Sequence, residues 1–165
     1  MERPYIFCHR MTSLDGKIMG NYMETPNGSE AGDVFYNIAF GQAPFYQHQG
    51  WLSGLVTTDD NFTFYKKPAL DENALDYLLV LSKLKELFHI ETLMLGGGGV
   101  LNWSFLQAGL CDEVSLVVAA SADANPDTPP VFRAKAGLST DRALDFTLKE
   151  AKVMGKNTLW LRYLV

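Results

Sequence analysis

Cysteine is scarce in this chain: Cys8 and Cys111 are its only two. Each lies in an apolar segment, with no CxxC pair and no Cys/His spacing that would hold zinc. This excludes a disulfide framework and predicts buried thiols in a reducing, cytoplasmic setting. An excess of positive charge is missing too. With 14 Lys+Arg against 19 Asp+Glu, the formal charge is −5. The chain therefore has no global field for nucleic acid, and any anionic ligand must be held by a local arrangement. No apolar run is long enough for a membrane span or a signal peptide. On that reading, the glycosylation-type triplets at Asn27, Asn61 and Asn102 are chance matches. Gly-x-Ser-x-Gly and His-Glu-x-x-His are absent, and His9, His48 and His89 are far apart, so hydrolase and metalloenzyme chemistry has no local support and no metal is expected.

What is present fits one globular domain over residues 1–165, 47% apolar and 20% charged. Tyr5 to Met11 reads as a buried strand leading into Ser13-Leu14-Asp15-Gly16-Lys17. Residues 20–33 are dense in turn formers and predict a surface loop, followed by a short helix over Asp33 to Phe40. Trp51 to Thr57 reads as a second strand. From Asn73 to Phe88 the residues Tyr77, Leu81, Leu84 and Phe88 fall at helical spacing. Thr92 to Leu95 predicts a strand ending in Gly96-Gly97-Gly98-Gly99, and Val100 to Ala108 a helix stopped by Gly109. Val114 to Ala120 is a further strand, and Ala122 to Pro130 a polar loop. Asp145 to Ala151 and Thr158 to Leu164 flank a turn at Gly155-Lys156-Asn157, as in an antiparallel hairpin. Together these elements predict an α/β three-layer sandwich with a mixed, mostly parallel sheet closed by that hairpin.

Two segments could carry chemistry. A four-glycine turn between strand and helix admits a ligand where a Cβ would collide, and the helix start offers unpaired N–H groups and a positive dipole end, which suit a pyrophosphate. It matches neither GxGxxG, because Leu101 stands at the last glycine position, nor a P-loop. The same glycines could equally serve only a tight turn. Ser13, Asp15 and Lys17 sit at the carboxyl end of the first strand, the edge at which open α/β sheets bind ligands. A carboxylate there could orient a polar substrate or assist protonation, or the segment could be an Asp-Gly turn with an exposed lysine. Thr57-Thr58-Asp59-Asp60 is either a polar cluster at a strand end or a helix cap. Trp51, Trp103 and Trp160 suit core or interface positions, with Trp103 near enough to the turn to line a pocket.

Arg3-Pro4-Tyr5-Ile6 leading to Met11-Thr12-Ser13-Leu14-Asp15-Gly16-Lys17-Ile18 resembles the opening of the bacterial riboflavin-pathway reductase domain family. Leu95 to Asn102, Ala108-Gly109-Leu110-Cys111-Asp112-Glu113 with its following strand, and Leu159-Trp160-Leu161-Arg162-Tyr163 are similar to that family's glycine turn, strand entry and last strand. The resemblance implies a dihydrofolate reductase-like fold that binds NADPH, reduces a pyrimidine-type heterocycle and forms a homodimer. By position it implies cofactor contacts from Thr12, Thr57, Gly97, Gly98, Gly99, Val100, Leu101 and Asn102, within a stretch reaching Ser104. It implies substrate contacts from Ser13, Asp15 and Asp59, with Ser13 and Asp15 as the catalytic candidates. Hydride transfer between two rings held face to face in a dry pocket needs no catalytic triad.

Three departures stand out. Gly96 replaces a substrate-binding glutamate of the riboflavin enzymes. Gly54-Leu55 replaces a Gly-Arg of single-domain relatives, and with it a cation able to meet a phosphate. The stretch from Asn61 to Asn73 is too short for the additional strand and helix of relatives, which predicts a missing segment near Leu70 to Asn73. Two other readings are a noncatalytic nucleotide-binding or dimerisation module of the same fold, and a true dihydrofolate reductase. NADPH is not separated from NADH, since Lys66 and Lys67 are unsupported as partners of a ribose phosphate.

Overall fold

The computed structural model describes residues 2–54 and 76–165. Six strands build one sheet: β1 (Tyr5–Thr12), β2 (Gly50–Leu52), β3 (Thr92–Leu95), β4 (Glu113–Ala119), β5 (Thr147–Met154) and β6 (Thr158–Leu164), in the spatial order β2-β3-β1-β4-β6-β5. The first four of that order run parallel, β6 is antiparallel to β4, and β5 is antiparallel to β6. Three helices, α1 (Pro26–Phe40), α2 (Tyr77–Phe88) and α3 (Gly99–Gln107), complete the described architecture with a short 3-10 turn at Asn21–Glu24. The mixed sheet and its closing hairpin agree with the α/β fold expected from the sequence.

Strand periodicity divides the core in two. On one face Phe7 and Met11 of β1 pack with Ala31 and Ile38 of α1, beside Val117 and Trp160. On the other, Ile6 and Cys8 pack with Leu81 of α2 and with Phe105 and Leu106 of α3. The sheet is thus the middle of three layers. Cys8 and Cys111 are buried free thiols.

The segment over residues 20–33 is not the loop that its turn formers suggested. Thr25 accepts a hydrogen bond from the amide of Gly28, Pro26 takes the first helical turn, and α1 runs on from there. A threonine cap followed by proline is a helix start, since proline lacks only an N–H that would be unpaired there anyway. Asp76 caps α2 by accepting from Leu79, so the helix begins at Tyr77. Leu81 is buried as expected, whereas Phe88 lies in the last turn and is 68% exposed. Of the strand expected over Trp51 to Thr57, β2 covers Gly50–Leu52, and residues 55–57 lie outside the described residues. Trp160 is a core residue, while Trp51 is 42% exposed.

At the β4-β6-β5 end one sheet face runs from the core out to solvent, with Val114 buried and the β5 side exposed. Pairing places Val114, Tyr163 and Leu148 in one row, Leu116, Leu161 and Ala151 in the next, and Val118, Leu159 and Val153 in the third. A register shift between Leu148 and Glu150 keeps the rows aligned. All nine are apolar, yet Leu148 is 57% and Val153 71% exposed.

Candidate functional site

The parallel strands deliver two turns to one edge of the sheet. β1 ends at Thr12, buried and paired with Val118, and the chain enters the Ser13–Lys17 turn. The Ser13 amide donates to the Lys17 carbonyl at 3.0 Å, and the Lys17 amide donates to Ser13 Oγ at 2.9 Å. Gly16 adopts φ 76°, a left-handed conformation in which a side chain would be strained. Ser13 is buried, and its hydroxyl donates to Asp15 Oδ1 at 2.6 Å.

Asp15 is exposed, but both oxygens of its carboxylate are engaged by the protein. Besides Ser13, the amides of Asp123 and Ala124 donate to it at 3.1 and 2.9 Å. These donors, the Ser13 hydroxyl foremost, hold its pKa well below the usual carboxylate range. A carboxyl so stabilised as an anion is a poor proton donor. What it can offer is fixed negative charge and loop order. Lys17 Nζ donates to the Thr128 carbonyl at 3.3 Å.

The second turn follows β3. At Gly96 an added Cβ would strike the Trp51 indole, and at Gly99 the Pro130 carbonyl, so the protein's own packing demands glycine at both. Gly98 differs: an added Cβ would meet nothing within 4 Å. Gly98 is also the N-cap of α3, and no side chain caps that helix. The first amides of α3 therefore have no intrahelical partner, and among the described residues Gly98 marks an opening at that helix start. That opening is the feature able to hold a cofactor's anionic bridge.

The implied cofactor residues divide by surroundings. Leu101 packs its side chain over Gly97. Val100 is half-buried, and its carbonyl accepts from Ser104 Oγ. Asn102 is fully buried and turned to the protein, with Nδ2 donating to the Val131 carbonyl at 3.1 Å and Oδ1 unpartnered. Thr57 and Asp59 lie outside the described residues. Trp103 donates its indole N–H to the Thr140 carbonyl at 2.7 Å.

Sequence reading missed two components. The first is the 121–133 segment, of which Ala122 to Pro130 read only as a polar loop. Its amides hold Asp15, Pro129 accepts from Ile18, Val131 donates to Gly16, and Arg133 donates to the Gly99 carbonyl at 3.0 Å. It thus braces both turns, and nothing local in its composition signals that. The second is Arg10, whose Nη1 donates to the Gly96 carbonyl at 2.9 Å. Its signal was visible as a formal charge inside a strand read as buried.

His9 is structural. Buried, stacked on Phe35 and bonded to Ser115 Oγ and the Phe35 carbonyl, it is pushed by burial down to about 4.

A family model described as the RibD C-terminal domain matches residues 47–159, more than half of the chain. Among solved structures, the chain is similar to Acinetobacter baumannii RibD, with TM-score 0.68 and 18% identity over 98% of this chain and 58% of that one. It thus spans little more than half the length of that relative. It is also similar to a pyrimidine reductase-like protein of Corynebacterium diphtheriae, with TM-score 0.70 and 11% identity over 98% and 91% of the two chains. A riboflavin biosynthesis reductase of Saccharomyces, Rib7, gives TM-score 0.58 and 13% identity over 98% and 90%. At these identities the likeness is one of fold.

Proposed function

The chain belongs to the RibD C-terminal domain family, and from that membership we propose that it is an NADPH-dependent reductase of a small heterocyclic substrate, resembling 5-amino-6-(5-phosphoribosylamino)uracil reductase. The observation that carries this reading is the uncapped start of α3 beside the open space at Gly98, at the edge where β1 and β3 end. A dinucleotide's pyrophosphate suits backbone amides at a helix N-terminus, which need no basic protein around them. When bound, NADPH supplies the hydride.

The roles of this chain's residues follow. Gly97, Gly98 and Gly99 with the amides of Val100 and Leu101 hold the pyrophosphate, and Thr12 borders the nicotinamide end. Asn102 supports the turn by tying α3 to the 121–133 segment. Ser13 and Asp15 orient the substrate, Asp15 as a fixed anion. Thr57 and Asp59 are assigned to the same pocket by family resemblance alone.

Homodimer formation is part of the proposal, supported by the exposed apolar residues Leu148, Ala151, Val153 and Leu159 on β5 and β6, since contiguous exposed patches of this kind mark interaction surfaces. A cytoplasmic location is supported by two free buried thiols, and among the described residues no helix is long and apolar enough to cross a membrane. The chain is taken as a single domain shortened near Leu70 to Asn73.

A second reading, a noncatalytic nucleotide-binding module, draws on the engagement of Ser13 and Asp15 with the protein itself. One pair of measurements decides. NADPH titration followed by cofactor fluorescence tests binding, and NADPH oxidation with pyrimidine, pterin and quinone acceptors tests turnover. Binding with turnover supports the reductase, binding alone supports the module, and absence of binding overturns both.

A further inference from the structure

Two histidines flank the Phe7 ring, with centroids 6.4 Å away for His9 and 5.7 Å for His48, and their hydrogen bonds need different numbers of protons. At His9, Nε2 faces the Phe35 carbonyl at 3.0 Å and Nδ1 faces the Ser115 hydroxyl at 2.9 Å. The Trp160 indole N–H donates to that hydroxyl at 2.9 Å, which leaves Ser115 its own hydrogen to give to Nδ1. One proton, on Nε2, therefore completes His9 as a neutral ring. At His48, Nδ1 lies 3.0 Å from the Gly50 carbonyl and Nε2 lies 3.2 Å from the Ala39 carbonyl. Carbonyls only accept. Both nitrogens must carry hydrogen for both bonds to form, and a ring with both is the imidazolium.

The two carbonyls belong to separate elements. Ala39 stands next to the end of α1, among the carbonyls that lack an intrahelical donor and make up the negative end of the helix dipole, and Gly50 opens the edge strand β2. β2 in turn backs the glycine turn. The Leu52 carbonyl accepts from the Gly96 amide at 2.9 Å, and a Cβ on Gly96 would strike the Trp51 indole. His48 is half-buried and can exchange protons with solvent, whereas His9 is sealed. Among the described residues, the charged and titratable groups of the surrounding elements are few. α1 carries Glu30, which accepts from residues 156–158, and the exposed Asp33. β1 carries His9, pushed by burial down to about 4, and Arg10, whose guanidinium donates to the Gly96 carbonyl. Tyr46, in the loop before His48, is turned to Glu113, and β2 has no titratable side chain.

We propose that His48 is a proton-operated clasp: protonated, it bridges the end of α1 to the edge strand β2, and on losing a proton it lets go of one of the two carbonyls. The clasp is complete at low pH. It loses a bond as pH rises across the span in which histidines change charge, about 5 to about 8. The strand backing the glycine turn is then held less firmly. This device goes beyond the reductase reading and needs no ligand to operate.

The test compares the whole chain with its His48→Phe variant, which keeps a ring beside Phe7 and Phe40 and removes both N–H groups. Ring N–H signals of His48 are recorded by NMR at the two ends of that span. Amide hydrogen exchange is followed at Gln49 and Gly96, which donate to the Thr92 and Leu52 carbonyls and so report how β2 is seated. Protection is taken relative to the intrinsic rate at each pH, with the amides of β4 monitoring global unfolding. The wild-type ring should show two slowly exchanging N–H signals at the lower pH and one at the higher. Protection at Gln49 and Gly96 should fall about tenfold between them, the equivalent of one hydrogen bond, and stay at the lower level throughout in the variant. His9 titrates in both proteins, so its effect cancels in the comparison. If protection in the two proteins changes in parallel, or if a ring N–H at the lower pH exchanges as fast as in free histidine, the proposal is overturned. Should the variant not fold, the wild-type ring signals decide: two protected N–H groups at the lower pH support the clasp, and a single one defeats it.

Discussion

Glu113, fully buried at the start of β4, meets the guanidinium of Arg162 on β6 through two contacts, Nε to Oε1 at 2.7 Å and Nη2 to Oε2 at 3.0 Å. Tyr5 and Lys149 donate to Oε2 at 2.9 and 3.0 Å, and Tyr46 donates to Oε1. Arg162 is enclosed by Phe45 and Trp160, its guanidinium carbon 4.4 and 5.6 Å from their ring centres. Removing either partner leaves the other charge with one less buried ionic partner, Glu113 keeping Lys149 at the rim and Arg162 keeping Glu150. Glu113→Gln and Arg162→Met should each lower the unfolding free energy, by less than the roughly 3–5 kcal/mol of a fully stranded buried charge, read from urea denaturation.

The same carboxylate gives the protein an acid limb. Burial pushes its pKa up, but Arg162, Tyr46, Lys149 and Tyr5 outweigh that and hold it at about 2, against 4.5 when unperturbed. A group depressed on folding stabilises the folded state above its unfolded pKa and loses that contribution as pH falls toward the folded one. Stability should therefore decline between pH 4.5 and about 2, by on the order of 3 kcal/mol from this group. Glu113→Gln should flatten that part of the pH–stability curve, and an unchanged slope would count against the assignment.

Gly98 and Gly99 are neighbours with opposite expectations. Gly98→Val fills open space and should cost NADPH affinity on the order of 2 kcal/mol, while unfolding changes by about 0.5 kcal/mol or less. Gly99→Ala drives a methyl into the Pro130 carbonyl and should lower the melting temperature. Cofactor titration and thermal scans on both variants separate a ligand gap from a packing requirement. Equal losses of affinity and stability at Gly98 would defeat that distinction.

Asp15→Asn keeps one acceptor oxygen and turns the other into a donor, so either the Asp123 or the Ala124 amide loses its acceptor. The amide that loses it should exchange hydrogen faster. If Asp15 orients the substrate, turnover should fall more than cofactor affinity, and equal losses in the two would leave it a role in loop order alone.

The exposed apolar surface of β5 and β6 should be where two copies meet. Sedimentation of the wild-type protein should give twice the chain mass, and Leu159→Glu, at the centre of the third row, should give a monomer. A monomeric wild-type protein would remove the dimer from the proposal.

The strands were legible because a short apolar run bounded by turn formers, or alternation as in the last strand, survives without context. Thr92–Leu95 and Thr158–Leu164 appear where their residues predict them. The α1 start was not, because Pro26-Asn27-Gly28-Ser29 reads the same in a loop and in a first helical turn. Only the Thr25 cap decides, and a cap is a contact rather than a composition. At the site, the glycine turn was legible as a place but not in its division of labour. That Gly96 answers to Trp51 and Gly99 to Pro130 depends on elements distant in sequence. Asp15 was found, whereas its donors over 100 residues away were not.

The stretch from Ser121 to Arg133 is stitched at one end to the Asp15 carboxylate and at the other to Gly99. A single tether thus sets the spacing between the two walls of the cleft. Descendants of this chain could not retune one wall by altering that tether and leave the other in place, so a new substrate and an old cofactor would have to be accommodated together.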